Sequence, residues 1–337
     1  MKTSREFDNL RGPILRSVSR SFYLSLRILP NALRDPLSLA YLLARATDSI
    51  ADTPEPSVNV RAAALRDLAG AIERTSLRRE VIRLRDSFAP LQSNQAERTL
   101  IDALPAALDW LDALDEADRR KVRDVLKKIT RGQMLDLERF GAGDEVVALP
   151  RAADLDEYTY LVAGCVGEFW TRICFAHVKS FTARAESEML ELGVQYGKGL
   201  QLINVLRDLG SDLRQSRCYL PEDELHSLGL APGEILRNPT RVEPLVRKWL
   251  EQAERNLAAG IDYACEIRNR RIRFATALPA LIGACTLALL RETGTEILEI
   301  KVKVSRPEVR KIVSSLARTL ASPRSIRKKF ERLLRVR

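Results

Sequence analysis

Along most of this chain apolar side chains return every three to four residues, the spacing that gathers them on one face of a helix. That period predicts helices over about residues 8–20, 33–51, 59–73, 77–88, 94–113, 117–139, 154–179, 184–212, 241–266, 270–291, 306–320 and 324–335. No run of alternating β-branched residues between hairpin turns interrupts it. Pro54 and Pro56 break the pattern after Asp52, Gly141 to Pro150 reads as a loop, and Pro221, Gly229, Pro232 and Gly233 mark another. There is no repeat period and no Ser/Gly- or Pro-rich linker. The pattern therefore predicts one all-α domain over residues 1–300, followed by a helical tail over 301–337. The most apolar stretch, Phe274 to Leu290, contains Pro279, Gly283 and two Thr and falls short of a spanning length, so a buried core helix is expected.

Composition adds that the chain is globular: 337 residues, 45% hydrophobic and 30% charged. The net charge of +10 is unevenly placed. Residues 301–337 hold 13 Lys or Arg against Glu308 and Glu331, a net +11, which leaves the first 300 residues at −1. Within the tail Ile326, Phe330, Leu333 and Leu334 share a helical face edged by Arg327, Lys328, Arg332 and Arg335. Such a helix either packs on its own domain or makes peripheral contact with anionic lipid. One aromatic, Phe330, offers bases little to stack on, and no nucleic-acid partner is expected.

Cysteines 165, 174, 218, 265 and 285 are odd in number and form no C-x-x-C pair, and no secretory leader opens the chain. A cytoplasmic setting is expected, without a disulfide scaffold or zinc finger. The two His, His177 and His226, are far apart, and no G-x-S-x-G elbow occurs, which argues against triad hydrolysis. His177, Trp110 and Trp170 are expected to be core.

The chemistry lies in two acidic stripes. Tyr41, Arg45, Asp48 and Asp52 fall at i, i+4, i+7 and i+11 of one predicted helix, and Gln201, Asn204, Asp208 and Asp212 at i, i+3, i+7 and i+11 of another. With 20 Asp in the chain, about one D-x-x-x-D pair arises by chance, so the two observed carry weight only through their apolar surroundings. Two carboxylates one turn apart repel each other and need a cation. Lys or Arg from elsewhere would serve, as would a divalent ion. Oxygen donors without nearby His or Cys favour Mg²⁺, holding the phosphates of a substrate.

Between the stripes Gly164 and Gly167 sit inside a helical pattern, each costing about 1 kcal/mol relative to Ala. Close helix packing explains them, as would a long ligand lying on that face. After the second stripe, Arg214, Arg217 and Tyr219 have the charge and hydrogen-bonding groups suited to phosphate oxygens.

Taken together, S-R-S-F at 19–22, A-R-x-x-D-x-x-x-D from Ala44 to Asp52, Y-x-x-x-V-A-G-x-V-G from Tyr158 to Gly167, and Q-x-x-N-x-x-R-D-x-x-x-D ending in R-x-Y-L-P at Pro221 resemble the squalene/phytoene synthases. The resemblance covers about residues 10–295. It implies an all-α isoprenoid synthase bundle around a central apolar cavity, with the two Asp-rich helices facing each other at its mouth. It also implies head-to-head joining of two allylic prenyl diphosphates. In the squalene branch two farnesyl diphosphates form presqualene diphosphate, which NADPH then reduces to squalene.

By that resemblance Asp48, Asp52, Asp208 and Asp212 hold Mg²⁺, with Gln201 and Asn204 beside them. Ser19, Ser21, Arg45, Arg207, Arg217 and Tyr219 meet diphosphate. Tyr41 and Tyr158 lie near the reacting carbons, and Phe22, Gly164 and Gly167 line the chain-holding cavity. Arg207 stands about 100° around the helix from Asp208, which weakens its assignment. D-S-I-A-D lacks the extra acidic residue of eukaryotic squalene synthases, and R-G-Q-M-L-D-L at 131–137 replaces their small-residue pattern, so the chain looks most like a bacterial squalene synthase. No dinucleotide fingerprint is present. The expected activity is a farnesyl-diphosphate farnesyltransferase making squalene. Phytoene, dehydrosqualene, presqualene diphosphate and hydroxysqualene are the alternatives within the class. A basic helical scaffold binding nucleic acid or membrane is the alternative outside it.

Overall fold

The computed structural model describes residues 7–19, 22–74, 76, 78–141, 143 and 145–335. It divides into two compact units, Met1–Ala142 with Arg172–His177, and Gly143–Thr171 with Val178–Arg337. The division falls in the loop expected over 141–150, and the basic tail belongs wholly to the second unit.

In the first unit a π-helical turn, Leu10–Ile14, leads into α1 (Leu15–Ser19) and α2 (Phe22–Ile28). There follow α3 (Asn31–Ala51), α4 (Val58–Glu73), α5 (Arg78–Phe88), α6 (Gln95–Asp102), α7 (Leu104–Ala113) and α8 (Glu116–Phe140). The helix expected over 94–113 is two, broken at Ala103. Pro105 lacks an N–H and its ring blocks the preceding turn, so it starts a helix more readily than it continues one. Asn94 caps α6 by accepting from Ala96 N at 2.9 Å, and Asp115 caps α8 by accepting from Asp118 N at 2.9 Å. Helix α3 lies against α4, α7 and α8. Leu39, Leu42, Leu43 and Ile50 of α3 are fully buried, as are Leu65 and Leu68 of α4 and Val122 of α8. Each such side chain contributes roughly 1.5–3 kcal/mol, which clamps the acidic stripe's helix from behind.

Trp110 is core as expected, 1% exposed and stacked on Phe7 at 5.9 Å. His177 and Trp170 are only half-buried. His177 differs further from its expectation, because its Nε2 lies 2.7 Å from Oδ2 of the buried Asp118. A carboxylate buried this deeply needs such a partner.

The second unit contains β1 (Val147–Leu149), α9 (Ala152–Thr159), a π-helical turn Tyr160–Gly164, and α10 (Cys165–His177), whose final turn is counted with the first unit. Next come α11 (Glu186–Leu213), β2 (Arg217–Pro221), α12 (Glu222–Ser227), α13 (Pro239–Glu266), α14 (Arg270–Thr293), a 3-10 turn Gly294–Leu298, α15 (Arg306–Arg318) and α16 (Pro323–Leu334). Strands β1 and β2 pair in parallel, Val147 opposite Arg217. At three and five residues they are too short to show a period in sequence. Helix α11 is cradled by α13 and α14. Although α14 is apolar enough to cross a membrane by composition, 67% of its most apolar window is buried, as a core helix requires. The tail packs on the same helices: Ile326 and Phe330 of α16 are buried where it meets α13 and α14. All five cysteines are buried, and none is in a disulfide.

Candidate active site

The first stripe stands on α3, which Pro30 precedes and Asp52 closes. Arg45 is shared between two carboxylates, one Nη bonded to Asp48 Oδ2 and the other 2.6 Å from Glu97 Oε1 of α6. Ser49 Oγ donates to Glu97 Oε2 at 3.3 Å. The Asp48 carboxyl is densely surrounded by protein yet keeps 43% of its side-chain surface open to solvent. Burial, then repulsion from Asp52, push its pKa up to about 6, against the pull of Arg45. Burial and the nearby Asp52 together outweigh Arg45 at this carboxyl. Tyr41 Oη donates to Val18 O at 3.1 Å, and the Phe22 ring lies 5.2 Å from the Tyr41 ring. Ser19 is buried, with its hydroxyl donated to Leu15 O. Ser21 lies outside the described residues.

The second stripe stands on α11. Gln201, Asn204, Arg207, Asp208 and Asp212 are half-exposed, while Leu202, Ile203, Val205, Leu206 and Leu209 beside them are buried. Asn204 Nδ2 donates to Gln201 Oε1 at 3.3 Å, fixing both amides along the stripe. Arg207 folds back on its neighbour, with Nε 3.3 Å from Asp208 Oδ1 and an Nη on Oδ2. Its length overcomes the angular offset seen in sequence. Lys301 Nζ is 2.9 Å from Asp208 Oδ1. Burial would raise the Asp208 pKa, but the bonds from Arg207 and Lys301 outweigh it and hold the carboxyl below its ordinary value. Just beyond, Gly210 lets the carbonyl of Leu298 approach α11 to within 2.0 Å of where a Cβ would stand, and Arg214 donates to that same oxygen at 2.9 Å. These two contacts anchor the segment that delivers Lys301.

Tyr158 of α9 and Tyr219 of β2 stack at 4.8 Å, so the β1–β2 pairing and α9 together place the second aromatic pair. Arg217 is half-buried on the same strand. Gly167 meets α11 directly: a Cβ there would sit 1.9 Å from Gly193 O. Gly164 faces Lys198 Cγ and the Tyr160 ring at 3.1 Å. Helix packing, the alternative to a ligand-facing role, thus explains Gly167. Glu97 and Lys301 are the partners that the sequence reading misses. Glu97 lies in a different helix from its arginine, and Lys301 begins a run of cations assigned as a whole to the tail.

The donors fit a hard divalent cation. They are oxygen only, and Asp48 is pushed toward the protonated form by burial and by Asp52 standing one turn away.

The architecture matches solved structures across nearly its whole length. The complex of TcSQS with the ligand BPH1237 superposes with a TM-score of 0.77 at 18% identity, covering 98% of this chain and 90% of that one. The fold is thus the all-helical isoprenoid synthase fold. The sequence profile described as squalene/phytoene synthase matches residues 15–308, and the chain belongs to that family. Among curated relatives, the bifunctional lycopene cyclase/phytoene synthase of Arthroderma gypseum is 26% identical over 303 residues, 87% of this chain and 48% of that protein. This chain therefore spans about half the length of that relative. The presqualene diphosphate synthase of Rhodopseudomonas palustris is 25% identical over 277 residues, 82% of this chain and 84% of that protein.

Proposed function

We propose that this protein is a Mg²⁺-dependent prenyltransferase joining two farnesyl diphosphates head to head, to presqualene diphosphate and, with NADPH, on to squalene. The observation that carries the reading is the pair of family-matched acidic stripes, each on a helix clamped by core packing and each completed by basic partners. Asp48 and Asp52 on α3, and Asp208 and Asp212 on α11, would hold the metal. Bound Mg²⁺ neutralises the charge that develops on a departing diphosphate.

The chain's own groups supply the rest. Glu97 holds Arg45 beside Asp48, so that the guanidinium is oriented before a diphosphate arrives. Arg207 and Lys301 bring two further cations to the second stripe. The Phe22–Tyr41 and Tyr158–Tyr219 pairs offer aromatic faces, each able to steady a carbocation by about 0.5–2 kcal/mol. A second reading, that the reaction stops at presqualene diphosphate, is favoured by the Rhodopseudomonas palustris relative, which matches over most of both chains.

Incubation with farnesyl diphosphate and Mg²⁺, with and without NADPH, followed by product mass, separates these readings. Squalene formed only with NADPH supports the first. An identical product in both incubations rejects it, and presqualene diphosphate in both establishes the second. Geranylgeranyl diphosphate run in parallel tests for phytoene. Asp48→Asn and Asp208→Asn are each expected to abolish turnover with helical circular dichroism intact; turnover within a few-fold of the parent refutes the metal roles.

A further inference from the structure

Helices α14, α15 and α16 enclose a cleft of about 720 Å³, lined by Cys285, Ala288, Leu289, Ile312 and Leu333 and rimmed by charged side chains. The rim holds Lys311 of α15, Lys329 and Arg332 of α16, and Arg335 just beyond, facing Glu292 and Glu308. Glu308 is engaged at the start of α15, where its carboxylate accepts from Ser305 Oγ at 3.3 Å. Among the described residues none of the four cations makes an ion pair, although most arginines and lysines of the first unit's α8 do. Lys329 is half-buried, and burial together with Arg332, Arg318 and Lys311 holds its pKa below the ordinary lysine value. Cations have been gathered here with too little negative charge among them.

We propose that this cleft binds the phosphate headgroup of an anionic phospholipid, seating the second unit on a membrane surface. The apolar lining selects lipid over a free anion, because Leu289, Ile312 and Leu333 beneath the cations match the first methylenes of an acyl chain. Nucleic acid fits less well. Phe330, the only aromatic of the tail, is 8% exposed and packed inward, leaving no ring for bases. The face that Ile326 and Phe330 would have inserted into lipid is spent on α13 and α14, so attachment runs through the cations and the cleft rather than through an inserted helix. This proposal is independent of the reaction performed, and its test does not read turnover.

The full chain is floated with vesicles of phosphatidylglycerol and phosphatidylcholine, and with phosphatidylcholine alone. Parent protein is expected on the mixed vesicles only. The double variant Lys311→Glu/Arg332→Glu is expected to bind about tenfold or more weakly. Lys329→Gln, which removes a desolvated cation, is expected to weaken binding while leaving the melting temperature unchanged or higher. Arg66→Glu/Arg83→Glu, exposed cations of the first unit, controls for net charge and is expected to bind like the parent. Equal flotation of the parent and the cleft variants overturns the proposal. So does displacement by millimolar inorganic phosphate at constant ionic strength, or duplex DNA bound more tightly than vesicles and lost in the same variants.

Discussion

Gly167→Ala tests the helix crossing on which the second stripe depends. An added Cβ would lie 1.9 Å from Gly193 O and 2.5 Å from Gly193 C, both backbone atoms that no rotamer can clear. Restoring ordinary contact at about 3.4 Å requires α10 and α11 to part by about 1.5 Å. Overpacking of this kind costs roughly 1–3 kcal/mol, and the upper end applies because backbone meets backbone. The better helix propensity of alanine returns about 1 kcal/mol. In a chain of 337 residues a net loss of about 2 kcal/mol corresponds to a melting temperature lower by about 3 °C. Thermal circular dichroism measures it, with Gly12→Ala as the control: nothing lies within 4 Å of that site, so its melting temperature is expected to hold or rise. Turnover of Gly167→Ala is expected to fall too, because α11 positions Gln201, Asn204, Asp208 and Asp212. A variant that melts within a degree of the parent and shows only a raised KM refutes the packing argument and restores the ligand-facing role.

Two further outcomes follow from the electrostatics. The folded Asp48 pKa of about 6 lies above its ordinary 3.8, so its contribution to stability is complete below about pH 4 and is lost as pH rises through 6. In metal-free protein, Asp48→Asn is therefore expected to gain stability relative to the parent between pH 4 and 7 in denaturant titrations, and a pH-independent difference refutes this. Lys301→Met is expected to raise the Asp208 pKa, seen by carbon NMR of the carboxyl, and to remove part of the stability that Asp208 contributes above its unfolded pKa. Because Lys301 is 67% exposed, that loss is held to about 1 kcal/mol or less. An unmoved Asp208 resonance rules out the pair.

Helix positions were open to reading because a 3.6-residue period repeats over 15 or more residues, and α3, α8, α11, α13 and α14 lie within a few residues of where the pattern puts them. The stripes were open to the same reading, since i, i+4, i+7 and i+11 define a face without reference to anything else in the molecule. The break at Ala103, the π-helical turn at Tyr160–Gly164 and the β1–β2 pair lay below that resolution, each being local and too short to show a period.

From its own residues the chain determines which faces are apolar and which carry carboxylates, because periodicity is a property of consecutive positions. Tertiary structure alone decides that Glu97 holds Arg45, that Lys301 neutralises Asp208, that Gly167 meets Gly193, and that the tail's cations surround a cleft. The three named pairs stand 26 to 93 residues apart along the chain, and only the burial of several helix faces at once brings such partners within reach of each other.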